Sequence, residues 1–595
     1  KSKLPMKNAF RIGAGGLKHK KLRLIFTILL SCIAFTMFGL ADTFGSYDHI
    51  RSCTDSLIDS DMTYASVKKG VKLDPKDEYW YTGYNLSEKD IQSLCDKTGL
   101  PFTGVYQPVG ADLSFSTNYD TAKIAESKWC RVFSSAFSGF AEINQTALDN
   151  MKYPLLAGRL PDGSKDEIAI SAYLYKVFDT AGYRADEQSD FQPIASYDDL
   201  IGKTISFAGG SYEVVGIVDT GFDWDRYQII TKDQDEMSNA EALIYYMLMQ
   251  ELGAETSYSF SSAAMVGEGF VERMLAVRPR LLQTSQASRD LWFYSDSGES
   301  FGCSYVTSLD RVDPDNITWL GEKKSVLGEK EVILSASSLS SESMGNQIEA
   351  SLAQVPFYMN LYHYAGEEEP ITEDNWHVVG YFSADSDLKE TVVVPESLYN
   401  TFSSVVNVDD IYNYAVSPMP QTEREVFDLV SDCYTEEGDT AYPLQSAVTY
   451  ELDSFHEGLK IFSKVLWYIG IFFAFFAALL LANFIGTSIA YKKQEIGILR
   501  AIGSRSADVF RIFFSESFLI AMINFVLSMI GTGVCTAVFN HITREQLGVL
   551  ITLLHFGLRQ IGLLFAVSIA VAFVASFIPV KKIASKRPID AIRNR

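Results

Sequence analysis

The chain has 595 residues, 47% of them hydrophobic, and a net charge of −23. That charge is partitioned: residues 46–458 hold 28 Lys+Arg and 68 Asp+Glu, whereas the remainder holds 23 Lys+Arg and 6 Asp+Glu. Basic residues beside apolar runs and one long acidic block exclude an ordinary soluble enzyme, leave no nucleic-acid partner to expect, and fit a membrane protein with a large outer domain.

Residues 1–23 carry eight Lys+Arg and no acid. Their loosely amphipathic order over Met6–Leu22 predicts a segment lying on the cytoplasmic membrane surface, a plain basic flank being the alternative. The run GAGGLKHKK lacks the order GxxxxGK[ST] and follows no strand, so it is not a phosphate loop. The chain starts at Lys1 without an initiator Met. The natural protein is therefore expected to extend upstream into a fused ATPase domain, with a separate ATPase subunit as the competing expectation.

Four uncharged apolar stretches, Leu24–Ala41, Val465–Ala490, Phe518–Phe539 and Ile561–Val580, qualify as spans, since about 20 residues cross ~30 Å of hydrocarbon. The positive flanks place the N-terminus, the loop 491–516 and the tail from Lys581 inside the cell. Residues 46–458 then lie outside. The expected organisation is a cytoplasmic segment 1–23, a first span and stalk over 24–60, and an extracytoplasmic mixed α/β domain over 61–445. A core start near 150–220 and a second lobe at 330–445 are expected within that domain, followed by stalk, three spans and tail over 446–595.

The first span is expected to continue outward as one helix, because Leu40, Phe44, Tyr47, Arg51, Thr54 and Ile58 recur at 4-3-4-3-4 spacing. Before the second span, Leu452, Phe455, Leu459, Phe462 and Leu466 recur at 3-4-3-4 spacing. Facing seams at heptad spacing predict a paired stalk, against the plainer reading of helices packed on their own outer domain. Strand-like runs are Glu167–Ser171, Thr204–Phe207, Tyr212–Val218, His377–Phe382 and Thr391–Pro395; helical runs are Ala240–Leu252 and Glu423–Cys433. The strings YEVVGIV at 212–218 and HVVGYF at 377–382 echo one another. Two copies of a subdomain would explain the echo, and so would chance.

Seven cysteines are present, and Cys53, Cys95, Cys130, Cys303 and Cys433 lie in the outer block. Five thiols allow at most two disulfides there. No HExxH, GxSxG or phosphate-loop motif occurs, so neither a catalytic residue nor a metal site is assigned. Asn483 and Asn524 fall within spans, where an Asn ordinarily bonds a neighbouring helix. Ala482, Gly486 and Ala490 form a stripe of small residues on the second span, suited either to a dimer seam or to packing within one subunit.

The loop is the most informative stretch. KKQEIGILRAIGSRSADVFRIFFSES resembles the loop of FtsX-like permease domains, [RK]xxEIGxLRAxG, through Glu495, Ile496, Gly497, Leu499, Arg500, Ala501, Gly503 and the acid Glu516. The tail PVKKIASKRPIDAIR is similar to that family's ending through Pro579, Ala584, Pro588, Asp590, Ala591 and Arg593. LLAGRLPDGSKDEIAIS, at Leu155–Ser171, resembles the start of a MacB-type periplasmic core domain.

The resemblance implies a dimeric ABC transporter permease of a bacterial plasma membrane. Its second copy or homologous half would sit beside it in the bilayer, and an ABC ATPase would sit on its cytoplasmic side. ATP and Mg would belong to that ATPase, with no cofactor in this chain and no enzyme activity of its own. The hairpin around Glu495, Arg500, Gly503 and Arg505 would receive the ATPase's push, with Ile496 and Leu499 on its apolar face. Export or extraction of lipids, peptides or drugs follows as the expected function; an FtsX-like mechanotransmitter acting on a surface partner such as a cell-wall hydrolase is the alternative.

Overall fold

The computed structural model describes residues 21–584 except 73–80, 278–280, 288, 297–299, 337–355, 364–370, 384–387, 389, 405, 437, 492–497 and 499–504. The chain forms two compact units, Leu57–Tyr450 and the pair of segments Lys1–Ser56 and Glu451–Arg595.

The membrane unit is helical. Its elements are α1 (Lys21–Gly45), α2 (His49–Asp59, which runs into the other unit), α3 (Ala447–Tyr491), α4 (Ser506–Leu547) and α5 (Leu558–Ala584). Four stretches within them are long and apolar enough to cross a bilayer: Leu24–Gly45, Lys460–Phe484, Phe510–Arg544 and Leu558–Phe577. The chain is thus a multi-pass membrane protein with one N-terminal and three C-terminal spans and a large extramembrane α/β region. Lipid supplies no hydrophobic drive between helices, so close approach and hydrogen bonds must hold them. A Cβ on Gly39 would lie 2.5 Å from Thr532 Oγ1, and one on Gly531 3.0 Å from Thr36 Oγ1, so these glycines let α1 and α4 touch. Ser528 Oγ donates to the Cys32 carbonyl at 3.2 Å along the same seam.

The first span does not continue outward as one helix. It ends at Gly45, and α2 starts at His49. Gly45 and Ser46 are poor helix formers, and Asp48 accepts from Arg51 N–H at 2.9 Å, as a new N-terminus requires. The segment 1–20 and the tail from 585 lie outside the described residues.

The α/β unit contains two large sheets. The first uses β1 (Tyr64–Val67), β2 (Thr103–Tyr106), β3 (Gly139–Glu142), β4 (Leu155–Gly158), β5 (Glu167–Ser171), β6 (Thr204–Phe207), β7 (Gly210–Val218) and β8 (Ala263–Val266). The second uses β9 (Leu282–Gln283), β10 (Arg289–Ser295), β11 (Ser300–Cys303), β12 (Tyr305–Ser308), β13 (Thr318–Trp319), β14 (Glu331–Ser335), β15 (Phe357–His363), β16 (Ile371–Phe382) and β17 (Thr391–Val394). A last strand, β18 (Asp410–Pro418), returns to the first sheet between β1 and β2. The second sheet therefore begins at Leu282, well before 330, and β18 lies outside it. The cause is visible in the pairing: β9 is needed as the edge partner of β12, and β18 is held by β2 and β1.

The two sheets repeat one topology. The order β2-β3-β8-β5-β7, with β4 and β6 on β7, is matched by β9-β12-β17-β14-β16, with β13 and β15 on β16. Every pairing keeps its sense: antiparallel, parallel, antiparallel and parallel along the path, then two antiparallel partners. Even the irregularity repeats. In β7 the register skips Val215 between Val214 and Gly216; in β16 it skips Val379 between Val378 and Gly380. The VVG echo marks the same bulge in two lobes, and chance does not account for it. The β10–β11 hairpin is the second lobe's insertion.

Candidate functional site

Three places in the chain carry sequence signals or unusual geometry: the loop joining α3 to α4, the opposite end of the membrane unit, and the Arg159 motif of the first lobe.

The loop's first wall is α3, which runs through 45 residues to Tyr491. Its second wall starts at Ser506, where Asp508 accepts from Arg505 N–H at 3.2 Å and caps α4. Arg505 is exposed and Arg511 pairs with Asp508 at 4.0 Å. Glu495, Ile496, Gly497, Leu499, Arg500 and Gly503 lie outside the described residues; Ile498 is exposed. Past the cap, α4 is clamped to α5. Phe510 and Phe514 meet Phe573 edge-on with centroids 6.0 and 6.2 Å away, and Ser576 Oγ donates to Ser517 Oγ at 2.6 Å. Glu516 is buried beside this contact.

At the other end, sequence reasoning missed most of the arrangement. The segment 548–557 between α4 and α5 is pinned from every side within this unit. Asn540 Nδ2 donates to the Leu554 carbonyl at 2.9 Å and Arg544 to the Leu550 carbonyl at 3.0 Å. Leu550 N–H donates to Glu451 at 2.8 Å, Thr552 N–H to Ser56 Oγ at 2.7 Å, and Gln560 Nε2 to Ser46 Oγ at 3.0 Å. His555 Nδ1 lies 2.9 Å from Asp55 Oδ2. These bonds form a collar. Its bonds to Ser46, Asp55, Ser56 and Glu451 join residues too far apart in sequence for any periodicity to show them.

The stalk residues divide. Phe44 packs edge-on against Phe462 and Phe539, with centroids 6.4 and 5.4 Å apart, so the two seams do meet there. Tyr47 Oη lies 3.3 Å from His49 Nδ1, and His49 Nε2 lies 3.7 Å from Asp453. Leu452 is buried; Phe455 and Leu459 have backbones within α3, and their side chains lie outside the described residues. Of the small-residue stripe, Ala482 packs on the bundle core, whereas a Cβ on Gly486 would meet nothing within 4 Å. Asn483 is exposed, and the side chain of Ala490 is outside the described residues. Small residues that do close a helix contact within this subunit include Gly39 and Gly531, and Gly470, where a Cβ would lie 3.0 Å from Ala41 Cβ.

In the first lobe, Arg159 grips Glu167 with two hydrogen bonds of 2.7 Å, and Asp162 N–H donates to the same carboxylate at 3.0 Å. Arg159 holds the almost covered Glu167 carboxyl down at about 2, well below the ordinary range, with the Asp162 amide helping. The GRxPDG…E pattern is thus a device that locks the β4–β5 turn. Its counterpart is Glu331, which accepts from Gly328 N–H at 2.8 Å and pairs with Lys324. All seven cysteines are free thiols, so neither of the two outer disulfides that five thiols would allow is formed. Cys303 and Cys433 are buried at positions set by their own strand and helix rather than by a bridge.

Helices of this length, arranged one and three about an α/β insertion, define a multi-pass membrane protein. Residues 467–588 match the family model of the FtsX-like permease C-terminal domain. Over 198 residues the chain is 25% identical to the macrolide export ATP-binding/permease protein MacB of Photorhabdus laumondii subsp. laumondii, a stretch covering 32% of this chain and 27% of that protein. The chain thus spans about a quarter of the length of that curated relative. The C-terminal spans are thus similar to those of FtsX-like permeases.

Proposed function

We propose that this chain is the membrane-spanning part of an ABC transporter that turns ATP hydrolysis elsewhere into movement of its α/β unit on the far side of a bacterial plasma membrane. The observation that carries the reading is the match to the FtsX-like domain, with a short loop between α3 and α4. An ABC ATPase, fused upstream or separate, binds ATP and Mg and presses on that loop. A second copy or a homologous half completes the transporter. Four spans per chain leave little room for a wide pore, so the work falls on the α/β unit. The relative whose name speaks of macrolide export favours extrusion of hydrophobic cargo over regulation of a surface hydrolase.

The test is coupling. Arg500→Glu reverses the charge offered to an acidic partner surface, and Gly503→Val blocks a tight helix break. Each should reduce transport at least about tenfold, a loss of ~1.4 kcal/mol in coupling, with normal membrane insertion and an α/β unit that resists protease. Wild-type transport in both variants would end the proposal.

A further inference from the structure

The second lobe departs from the first by the β10–β11 hairpin, which extends its sheet beyond β15. Alternation along these strands sends one set of side chains inward: Leu291, Phe293, Phe301, Phe357 and Met359 are buried in the lobe's core. The other set faces outward, where a strand with one solvated face carries polar residues as a rule. Here it carries Trp292 and Tyr294 on β10 and Tyr358 and Tyr362 on β15, none of them buried. The register sets Trp292 between Gly302 and Asn360, and Tyr294 between Ser300 and Tyr358.

The rings lie flat on the sheet. A Cβ on Gly302 would be 3.0 Å from both Cζ2 and Cη2 of Trp292 and 3.1 Å from Cε2, so the indole covers this glycine with its face and not its edge. Tyr294 lies within 16° of the indole plane, with centroids 6.0 Å apart. A glycine inside a strand weakens it and marks a place where something must approach closely. In β11 its missing side chain is the seat of the indole. The tyrosines are held as well. Tyr294 and Tyr362 share a hydrogen bond, Asn360 Nδ2 donates to Tyr362 Oη at 3.4 Å, and Tyr358 Oη donates to Asp296 Oδ2 at 3.1 Å. Rings fixed in advance lose little freedom when a ligand settles on them.

Charge and shape narrow the occupant. Among its described residues this face holds no Lys or Arg. Arg289 turns to the other side, where it donates to the Thr401 carbonyl at 3.1 Å and lies over the Phe402 ring. Asp290 and Asp296 stand at the ends of β10 instead. Nucleic acids and other polyanions stack on aromatic rings where cations lie alongside, so they do not fit here. Rings presented face-on offer no slot for a peptide's anchor side chain. Flat rings edged by phenols and carboxylates complement a pyranose. Its axial C–H groups make an apolar face, and its equatorial hydroxyls donate to the acids and the tyrosine oxygens.

We propose that the outer face of β11, β10 and β15 binds an uncharged, extended β-linked glycan, with one pyranose on Trp292 and its neighbour toward Tyr294. Gly302 is a positioning residue that seats the indole. The ring separation is comparable with the advance per sugar of an equatorially linked chain, whereas an α-linked, coiled chain turns away from a flat surface. The site gives the α/β unit a hold on polysaccharide and lies apart from any path through the membrane. The inference uses the second lobe alone, so it is read whether or not the loop couples to an ATPase.

The experiment is saturation-transfer NMR of the full chain in a detergent without sugar groups. The probes are cellohexaose and chitohexaose, both β-linked, and α-linked maltohexaose. Wild type should transfer to the ring C–H protons of a β-linked probe at least about fivefold more than to maltohexaose. Trp292→Ala should lower that signal about tenfold, equivalent to ~1.4 kcal/mol in affinity, and Trp292→Tyr should keep at least about half of it, since a ring remains. Gly302→Ala removes no ring and suits a strand better than glycine, yet by lifting the indole it should cost about threefold or more. Gly321→Ala, where a Cβ meets nothing within 4 Å, should change nothing. Absence of transfer to both β-linked probes, equal transfer to maltohexaose, or a signal untouched by Trp292→Ala would overturn the proposal. So would a dimer in native mass spectrometry that Trp292→Ala dissociates, which would assign the platform to a second copy of the chain.

Discussion

The two lobes of the α/β unit share strand order, pairing sense and a bulge, yet they are locked by different means. In the first, the turn between β4 and β5 is fixed by Arg159 gripping a covered Glu167, and in the second Glu331 is partly exposed and meets Lys324. The first bulge glycine faces a backbone carbonyl, whereas the second has the methyl of Ile317 as its nearest neighbour. Backbone topology is therefore what the copies retain, and side-chain locks are what they have varied. The first lobe carries the Arg159–Glu167 lock, and the second carries the β10–β11 insertion.

The largest expected contrast is at the bulges. A Cβ on Gly216 would sit 2.3 Å from the Arg159 carbonyl oxygen, but on Gly380 the nearest atoms are Ile317 Cγ2 at 2.9 Å and the Thr318 carbonyl oxygen at 3.1 Å. Gly216→Ala should destabilise its lobe by about 3 kcal/mol or more, and Gly380→Ala by about 1 kcal/mol, because a side chain can give way where a backbone cannot. Hydrogen exchange of β5 and β14 in the full-length protein measures both. Equal losses would mean that the lobes are packed alike. Next come the carboxylates. Glu167→Gln should cost about 2 kcal/mol by leaving the Arg159 fork poorly matched, and Glu331→Gln below about 1 kcal/mol.

Acid provides a gentler version of the same comparison. The Glu167 carboxyl is held near 2 in the fold, below its ordinary 4.5, so its stabilisation is fully present above about 4.5 and is lost as pH falls toward 2. Exchange of β5 should quicken over that window. In β14 the effect should be smaller: burial of Glu331 opposes its ionisation, and Lys324 with the Gly328 amide lowers its value only in net. A β14 response as large as that of β5 would break the comparison.

How much of this was legible in the sequence varied with the distance over which each feature is encoded. Glu167–Ser171 and Thr204–Phe207 are strands with the bounds their alternation predicts, and the helix Glu423–Tyr434 starts where Thr422 and Glu425 form a capping box. These are local signals. The break at Gly45–Ser46 was hidden because heptad spacing runs straight through it, and two residues outweighed the pattern. The twin lobes left only a six-residue echo, since what repeats is pairing order rather than side chains. Much of the collar gave no signal, because Thr552 and Ser56 are 496 residues apart and Gln560 and Ser46 514 apart. For the loop, the roles expected of Glu495 to Gly503 came from the resemblance; the domain match at 467–588 spans that stretch, most of which lies outside the described residues.

Sidedness is the central requirement of the proposed function: the α/β unit on one face of the membrane, the loop on the other. Asp162 is well exposed in the β4–β5 turn, and Lys492 opens the loop after α3. Single cysteines at these positions should be read in intact cells with a membrane-impermeant maleimide, against the parent protein. The native Cys303 and Cys433 are buried, and burial pushes their thiols up, that of Cys433 to about 12, which keeps them silent. Labelling of Asp162→Cys in intact cells, with Lys492→Cys labelled only after lysis, is the predicted result. Labelling of Lys492→Cys in intact cells would contradict the proposed push from an ATPase.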